Sequence, residues 1–545
     1  MQWQAVRASA QWAAYGDALG FISELTDIDG VRRRIGHETV STTVPWKRRV
    51  GGRFGRDMPL PAGAYSDDTQ LRLATSRAIR GNGEFDVDAF AKVELVAWQA
   101  YALGAGRGTK AAATGLMRVD AKWSQNIFAT KAARYTDIGG NGAAMRIQPH
   151  VWSARDLTDW DRITRDVVRN AVSTHGHPRG ILGAVLHALL LAHALETNSI
   201  PGPDHWRTTI DWLEHVPDII DKDDELAYLW LPSWAQAAGG DFRAAAVTVA
   251  AECRAGLEAF DPASPLAPDS YSHLVERLGG FHSETRGSGT ITTLLAAMLA
   301  FGRQDSPEEG IRLAANTLGS DTDTIATMAG ALLGAVTGTP APGVVQDDQY
   351  IDRESRRLWE ISQGGEAATF AYPDLLLWSP PKAALDLVGR TDAGPALAGL
   401  GLLKAGAPAH SSQATYVWGT LPFGQSVLVR AREELRPFNA SLLPPERRQR
   451  ARRAEDVVRE QPALFDTAEP RSGASSAPRS RVEGALADEH PRPAPPLDEL
   501  VQDLARRGYP PEEVGRVLLN LAKSGRYGVE RAAVFAGLLA RTYQE

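Results

Sequence analysis

The chain is almost free of cysteine: its 545 residues include one, Cys253. No internal disulfide can therefore form, and a cysteine cluster for zinc or an iron–sulfur centre is excluded. Scarce cysteine fits a reducing compartment, so we expect a cytoplasmic protein.

The chain also lacks a strong excess of one sign of charge, and it lacks long apolar runs. Lys and Arg number 59 against 66 Asp and Glu, and the net charge of −7 argues against a protein that coats nucleic acid. The longest apolar stretch, residues 181–196, is short for a membrane span and contains two histidines, which predicts a buried helix. The N-terminal residues lack the basic start and apolar core of a secretory signal. We therefore expect no association with a membrane.

The composition changes along the chain in four steps. Residues 1–365 carry apolar side chains at three- and four-residue spacing, which predicts a helical body. Residues 366–436 have aromatic and β-branched runs broken by Pro and Gly, typical of a small mixed extension with strands. Residues 437–496 are Pro/Arg/Ser-rich, as in a disordered linker; their basic stretch 446–453 could touch nucleic acid, but a solvated flank is the favoured interpretation. Residues 497–545 regain helical periodicity and predict a small bundle that could bind a partner protein or self-associate.

Two acidic segments, 65–70 and 319–324, each precede an apolar helical pattern. Taken singly, each is an ordinary helix cap with acids that complement the helix dipole. Taken together, their carboxylates would repel one another unless a cation lies among them. The donor set contains only oxygen, which suits Mg²⁺, Mn²⁺ or Ca²⁺. The candidate ligands are Ser66, Asp67, Asp68, Asp321, Asp323 and Thr324.

Three further motifs carry polar groups near helix ends. In GDALGFISE, Asp17 and Glu24 lie two helical turns apart; they are either a solvated acid and a cap, or Glu24 is a gate or base near the metals. The loop GGNGAAMR, residues 139–146, could present backbone N–H groups to a phosphate. His175 stands in THGHP, where a lone histidine is more often structural than a ligand.

Together these segments, in this order over roughly residues 8–340, resemble the ADP-ribosylglycohydrolase family. The resemblance implies an all-α fold, a compact orthogonal helical bundle, with a centre of two Mg²⁺ ions, Mn²⁺ being the alternative. The six oxygen donors above would be the metal ligands. Glu24 matches the family's acidic residue near the metals, and His175 matches its TH-x-x-P histidine. Asn141, Gly142 and Ala143 match the loop that contacts ADP-ribose.

The activity that the resemblance implies is metal-dependent removal of ADP-ribose from a modified protein or other acceptor, by cleavage at C1 of the distal ribose. Glu24, Asp68 or Asp323 would take the proton of the attacking water. Two alternatives are a non-catalytic ADP-ribose-binding protein and a hydrolase of another ADP-ribosylated or N-glycosidic small molecule or nucleic acid. The basic segment before Ser66 and the polar segment 279–293 depart from the family pattern, and we expect both to shape the leaving-group pocket.

Overall fold

A computed structural model describes residues 1–52, 55–131, 133–411, 413–445, 497–523 and 528–544. They fall into two units, residues 1–444 and residues 445–545. The basic stretch 446–453 and the rest of 446–496 lie outside the described residues. The domain boundaries drawn above at 365, 436 and 496 stay predictions.

The first unit has a helical body. Its helices are α1 (Trp3–Ser23), α2 (Ile28–Ile35), α3 (Asp67–Ala78), α4 (Val87–Ala89), α5 (Leu95–Trp98), α6 (Arg107–Leu116), α7 (Gln148–Trp152), α8 (Trp160–Val172), α9 (Pro178–Thr197), α10 (Pro203–Trp212), α11 (Val216–Asp221), α12 (Leu231–Ala238), α13 (Phe242–Leu257), α14 (Pro268–Arg277), α15 (Gly289–Gly302), α16 (Pro307–Asn316), α17 (Thr322–Thr337) and α18 (Asp348–Ser362). Short π-helical turns join α4 to α5 and precede α12. The predicted helical body is thus confirmed.

The centre of the body is the pair α1 and α17, which pack along each other, with α9 and α15 beside α17. Both helices of the pair are rich in alanine and glycine, so their backbones approach closely. Helix α9 is long and apolar enough to cross a membrane, yet 83% of its most apolar window is buried inside the protein. It is a core helix, as the two histidines in its sequence led us to expect.

Strands occur in two places. A hairpin of β1 (Trp46–Val50) and β2 (Arg56–Leu60) interrupts the body before α3, within the region that the sequence predicts as helical. The extension forms two antiparallel three-stranded sheets, as its composition predicts. Their strands are β3 (Val388–Thr391), β4 (Gly394–Leu397), β5 (Gly401–Leu402), β6 (Lys404–His410), β7 (Thr415–Thr420) and β8 (Ser426–Ala431).

The second unit is a small helical module. It consists of α19 (Leu497–Arg506), α20 (Pro511–Lys523) and α21 (Gly528–Gln544). Helices α19 and α20 both pack against α21, burying Val501, Leu504 and Phe535. The helical periodicity predicted for residues 497–545 is thus confirmed in the part of this unit that the structure describes.

Candidate active site

The contact between α1 and α17 has no room for side chains at two glycines. A Cβ added to Gly16 would lie 2.6 Å from the carbonyl carbon of Ala326, and one on Gly20 would lie 2.5 Å from Cα of Asp323. The hydroxyl of Thr322 donates to the carbonyl oxygen of Gly20 over 2.9 Å. This close approach brings the GDALG segment onto the start of α17.

Asp17 binds the start of α3. Its Oδ1 accepts from the backbone N–H of Ser66 (2.9 Å), and its Oδ2 accepts from the N–H (2.8 Å) and hydroxyl (2.6 Å) of Thr69. Arg72 in turn donates to the Thr69 hydroxyl over 2.6 Å. Burial raises the pKa of Asp17, and the Thr69 hydroxyl and Arg72 oppose that shift. The interpretation of Asp17 as a solvated acid is therefore wrong, because the residue is completely buried.

The packing of α1 on the start of α17 and the hydrogen bonds of Asp17 to the start of α3 thus bring the two acidic helix starts together. Asp67, Asp68 and Asp323 are only 6%, 2% and 3% exposed, while Asp321 is half-buried. Burial, followed by repulsion from neighbouring carboxylates, raises the pKa of Asp67, of Asp68 and of Asp323 well above the ordinary aspartate value. The largest repulsion comes from Glu24 for Asp67 and Asp323, and from Asp17 for Asp68. A buried group of acids that repel one another is unfavourable without a compensating cation.

The hydrogen bonds within this cluster leave acceptors free. Ser66 Oγ caps α3 by accepting from the N–H of Asp68 (3.2 Å), and the hydroxyl of Thr324 lies 3.5 Å from Asp68 Oδ1. Asp68 Oδ2 is buried and has no hydrogen-bond partner among the described residues. Because a buried acceptor without a donor is costly, this oxygen favours a bound ligand or ion.

The donor set fits a hard divalent cation by its chemistry. Among the described residues, no group of three or more His, Cys, Asp or Glu side chains is close enough together to hold a metal ion. Hydroxyls of Ser66 and Thr324 stand beside the carboxylates, and hard cations accept such mixed oxygen ligands and complete their shell with water.

Glu24 lies at the edge of the cluster and is paired with the hairpin. Its Oε2 accepts from Arg48 Nη2 over 2.7 Å, and the side chains are 12% and 14% exposed. Burial raises the pKa of Glu24; Arg48 opposes the shift, and Asp321 reinforces it. The sequence places Glu24 near the other acids, but it does not predict the partnership with Arg48.

The glycine-rich loop is joined to the cluster from the other side. The side-chain amide of Asn141 donates to Asp321 Oδ2 (3.1 Å), and its backbone N–H donates to the carbonyl oxygen of Gly287 (2.8 Å). Gly287 is itself close to the acids, because a Cβ there would lie 3.2 Å from Asp321 Oδ2. The loop and the segment before α15 therefore border Asp321 together.

The other predicted substrate contacts are Gly142 and Ala143, which belong to this loop, and His175, which packs against it. Gly142 packs against His175, so that a Cβ on the glycine would stand 3.0 Å from the ring. Ala143 is fully buried, and His175 is 2% exposed with its Nδ1 2.7 Å from the Thr174 hydroxyl. Burial and then Arg146 lower the pKa of His175 to about 3, which keeps the ring neutral. His175 supports the loop from below.

Asp17 and Arg48 are site residues that sequence reasoning missed. Asp17 stands in the GDALG motif beside two glycines that pack on α17, so close packing was the available signal. Arg48 belongs to a basic segment, and nothing in the order of its residues distinguishes it from Lys47 or Arg49.

Comparison with known proteins agrees with the motifs. The family model for ADP-ribosylglycohydrolase matches residues 6–348. A search of curated proteins finds no match. A solved structure described as an "ADP-ribosylglycohydrolase-related protein complex" is similar at 21% identity and a TM-score of 0.40, covering 66% of this chain and 98% of that one. Since the family model spans well over half of the 545 residues, the chain belongs to the ADP-ribosylglycohydrolase family.

Proposed function

We propose that the chain is a metal-dependent hydrolase that releases ADP-ribose from a modified acceptor by cleaving the glycosidic bond at C1 of the distal ribose. Membership of the family supports a glycohydrolase that acts on ADP-ribosylated substrates. The observation that carries the finer proposal is the buried acidic cluster, in which Asp68 Oδ2 has no partner among the described residues.

Two Mg²⁺ ions, with Mn²⁺ as the alternative, are the proposed cofactor. The residues that would hold them are Ser66, Asp67, Asp68, Asp321, Asp323 and Thr324. Bound divalent cations polarise oxygen ligands, lower the pKa of bound water and orient vicinal hydroxyls of a sugar.

The chain's own residues would supply binding and proton transfer. The loop at Asn141–Ala143 would bind the ADP-ribose portion through the backbone N–H groups of Gly142 and Ala143, as glycine-rich turns bind phosphates. Asn141 holds Asp321 in place through the 3.1 Å hydrogen bond. Glu24, Asp68 or Asp323 would accept a proton from the attacking water, whose hydroxyl would add to C1 as the bond between C1 and the acceptor breaks. The departing acceptor would take up one proton, which balances the proton that the water gave to the carboxylate.

The test is release of free ADP-ribose from arginine-, serine- and DNA-linked substrates, with Mg²⁺ or Mn²⁺ and with EDTA. The Asp321→Ala/Asp323→Ala double variant is the loss-of-site enzyme, and Asp29→Asn on the exposed face of α2 is the matched control. We expect metal-dependent release by the wild type and the control, and none by the double variant. ADP-ribose binding without release from any substrate would instead support a binding protein.

A further inference from the structure

The β1–β2 hairpin rests on the last turns of α1, next to the acidic cluster. The ring of Trp46 meets Phe21 edge to face, with centroids 5.3 Å apart. The guanidinium of Arg48 lies 4.2 Å from the centroid of the same Phe21 ring. Across the hairpin, Arg48 pairs with Met58, which is buried. One end of the hairpin is thus fixed against the helix that carries Glu24.

Arg48 satisfies only part of its donor capacity in this position. Its Nη2 donates to Glu24, while its Nη1 is buried and has no hydrogen-bond partner among the described residues. A guanidinium is charged at every physiological pH and has five N–H donors in a fixed plane. A buried donor without a partner, beside a cluster built of acceptors for substrate and metal, is positioned for a ligand oxygen.

The outer side of the hairpin is held by the extension. The indole N–H of Trp418 on β7 donates to the carbonyl oxygen of Pro59 over 3.0 Å. Arg56 donates through Nη1 to the carbonyl oxygen of His410 over 2.8 Å. The hydroxyl of Tyr416 occupies the space that a side chain at Gly51 would need. The sheet β6–β7–β8 therefore contacts β2 and the turn of the hairpin, and β2 in turn pairs with β1, the strand that carries Arg48.

The extension is itself anchored to the helical body at separate points. The indole N–H of Trp378 donates to the carbonyl oxygen of Lys92 over 2.8 Å. The hydroxyl of Tyr372 donates to Glu94 over 2.7 Å, and the N–H of Ser426 donates to Asp347 over 2.8 Å. Trp378 and Tyr372 anchor the segment that precedes the sheets, whereas Ser426 is the first residue of β8 and fixes the sheet β6–β7–β8 on the body. A sheet fixed in this way can hold the hairpin in one position.

We propose that residues 404–431 belong to the substrate-binding apparatus, because their sheet, β6–β7–β8, holds the hairpin that presents Arg48 beside Glu24. Arg48 is a substrate-binding residue whose Nη1 takes an oxygen of the substrate, and Trp418 is a positioning residue that acts through it. This proposal rests on the proposed function. It gives a role to a segment that lies wholly beyond the residues matched by the family model.

The first test is a double-mutant cycle on the kinetics of ADP-ribose release. Trp418→Phe keeps an aromatic side chain, although a smaller one, and removes the N–H donor to Pro59, whereas Trp378→Phe makes the same change at the contact with the body. We expect Arg48→Gln to raise KM about tenfold, as for loss of one hydrogen bond from a charged donor. We expect Trp418→Phe to raise KM severalfold with little change in kcat, and to add nothing in the Arg48→Gln background.

Trp378→Phe should leave KM within about twofold, since hydrogen bonds far from a ligand seldom affect its binding. Multiplicative effects of Trp418→Phe and Arg48→Gln on KM, or an unchanged KM in Arg48→Gln, would overturn the proposal. The oxygen that Arg48 binds belongs either to the ADP-ribose portion or to the acceptor, and the binding of free ADP-ribose distinguishes these two sources. Weaker binding by Arg48→Gln assigns the oxygen to the ADP-ribose portion, and unchanged binding with a raised KM assigns it to the acceptor.

A second measurement does not depend on turnover. Trypsin cleavage between residues 47 and 56, followed by mass spectrometry, reports how firmly the hairpin is held. Trp418→Phe should increase the initial cleavage rate severalfold, and Trp378→Phe should leave it unchanged. If the wild type releases no ADP-ribose, the proposed function fails while cleavage still tests the support of the hairpin. Binding of the intact modified acceptor then replaces KM as the test of Arg48. Equal cleavage rates in both variants would overturn the role of the extension.

Discussion

Gly20 on α1 lies against Asp323 on α17 so closely that a Cβ on the glycine would stand 2.5 Å from Cα of the aspartate. The atoms in the way belong to backbone, which cannot rotate aside as a side chain can. This contact therefore fixes the distance between α1 and α17 at Asp323, an acidic residue of the site.

Replacing Gly20 by alanine should force the two helices apart. We expect the free energy of unfolding to fall by about 3 kcal/mol, as for an overpacked core, and release of ADP-ribose to be lost. Urea unfolding and the release assay measure the two effects. Gly515→Ala in α20 is the control, because a Cβ there has no neighbour within 4 Å and should be neutral or slightly stabilising.

Asp17→Asn should destabilise the start of α3. Asparagine would place an amide N–H₂ against N–H donors that now meet a carboxylate, so at least one buried hydrogen bond is lost. We expect a loss of about 2 kcal/mol in unfolding free energy, and weaker ADP-ribose release because Asp67 and Asp68 shift. Asp29→Asn, at an exposed acid, should change stability by under about 0.5 kcal/mol. Equal stability of the two variants would contradict the role of Asp17.

The acidic cluster predicts an unusual dependence of stability on pH in EDTA. The pKa of Asp323 is raised in the folded protein by burial and by neighbouring carboxylates. A raised pKa means that Asp323 holds its proton more tightly in the folded state than in the unfolded state, where aspartates titrate at about pH 3.9. The stabilisation is complete below that pH and is lost as the pH rises through the folded value.

Asp323→Asn lacks this titration. In EDTA it should therefore gain stability relative to the wild type as the pH rises from about 4 to 7, by the sign just derived. With Mg²⁺ present the wild type should be the more stable protein, because it gains stability from metal binding that the variant loses. Thermal unfolding at several pH values, with and without metal, measures both differences. A difference that does not vary with pH in EDTA would contradict the prediction.

The extension should depend on a buried ion pair for its anchorage. Arg77 and Glu94 have side chains that are 1% and 0% exposed and lie 2.7 Å apart, and Tyr372 of the extension donates to the same carboxylate. Glu94→Gln leaves Arg77 without its counter-charge, so we expect the free energy of unfolding to fall by about 3 to 5 kcal/mol. Asp204→Asn, in an exposed pair with Arg207, should cost less than about 1 kcal/mol in the same urea unfolding experiment.

The sequence predicted the helical body because apolar periodicity over many turns overrides local irregularity. It also predicted the two acidic helix starts, because capping chemistry is local. The hairpin was missed because the segment between its strands is glycine-rich and because Arg48 interrupts the apolar face that Trp46 and Val50 would form on β1. The burial of Asp17 was missed because its partners Ser66 and Thr69 lie 49 and 52 residues away, and local spacing does not reveal such contacts. The Arg48–Glu24 pair, 24 residues apart, was missed for the same reason.

The pairing of α1 with α17 has a consequence for biosynthesis. Thr322 and Gly20, which are joined by a hydrogen bond in the finished protein, are 302 residues apart in the chain. At about 5–20 residues per second, the ribosome needs on the order of 15 to 60 s to supply the second helix after the first. Helix α1 has a mostly apolar surface that is buried in the native fold, and during that interval it lacks its main partner. The apolar surface of α1 must therefore be covered during synthesis by contacts other than its native ones, either within the nascent chain or with a chaperone.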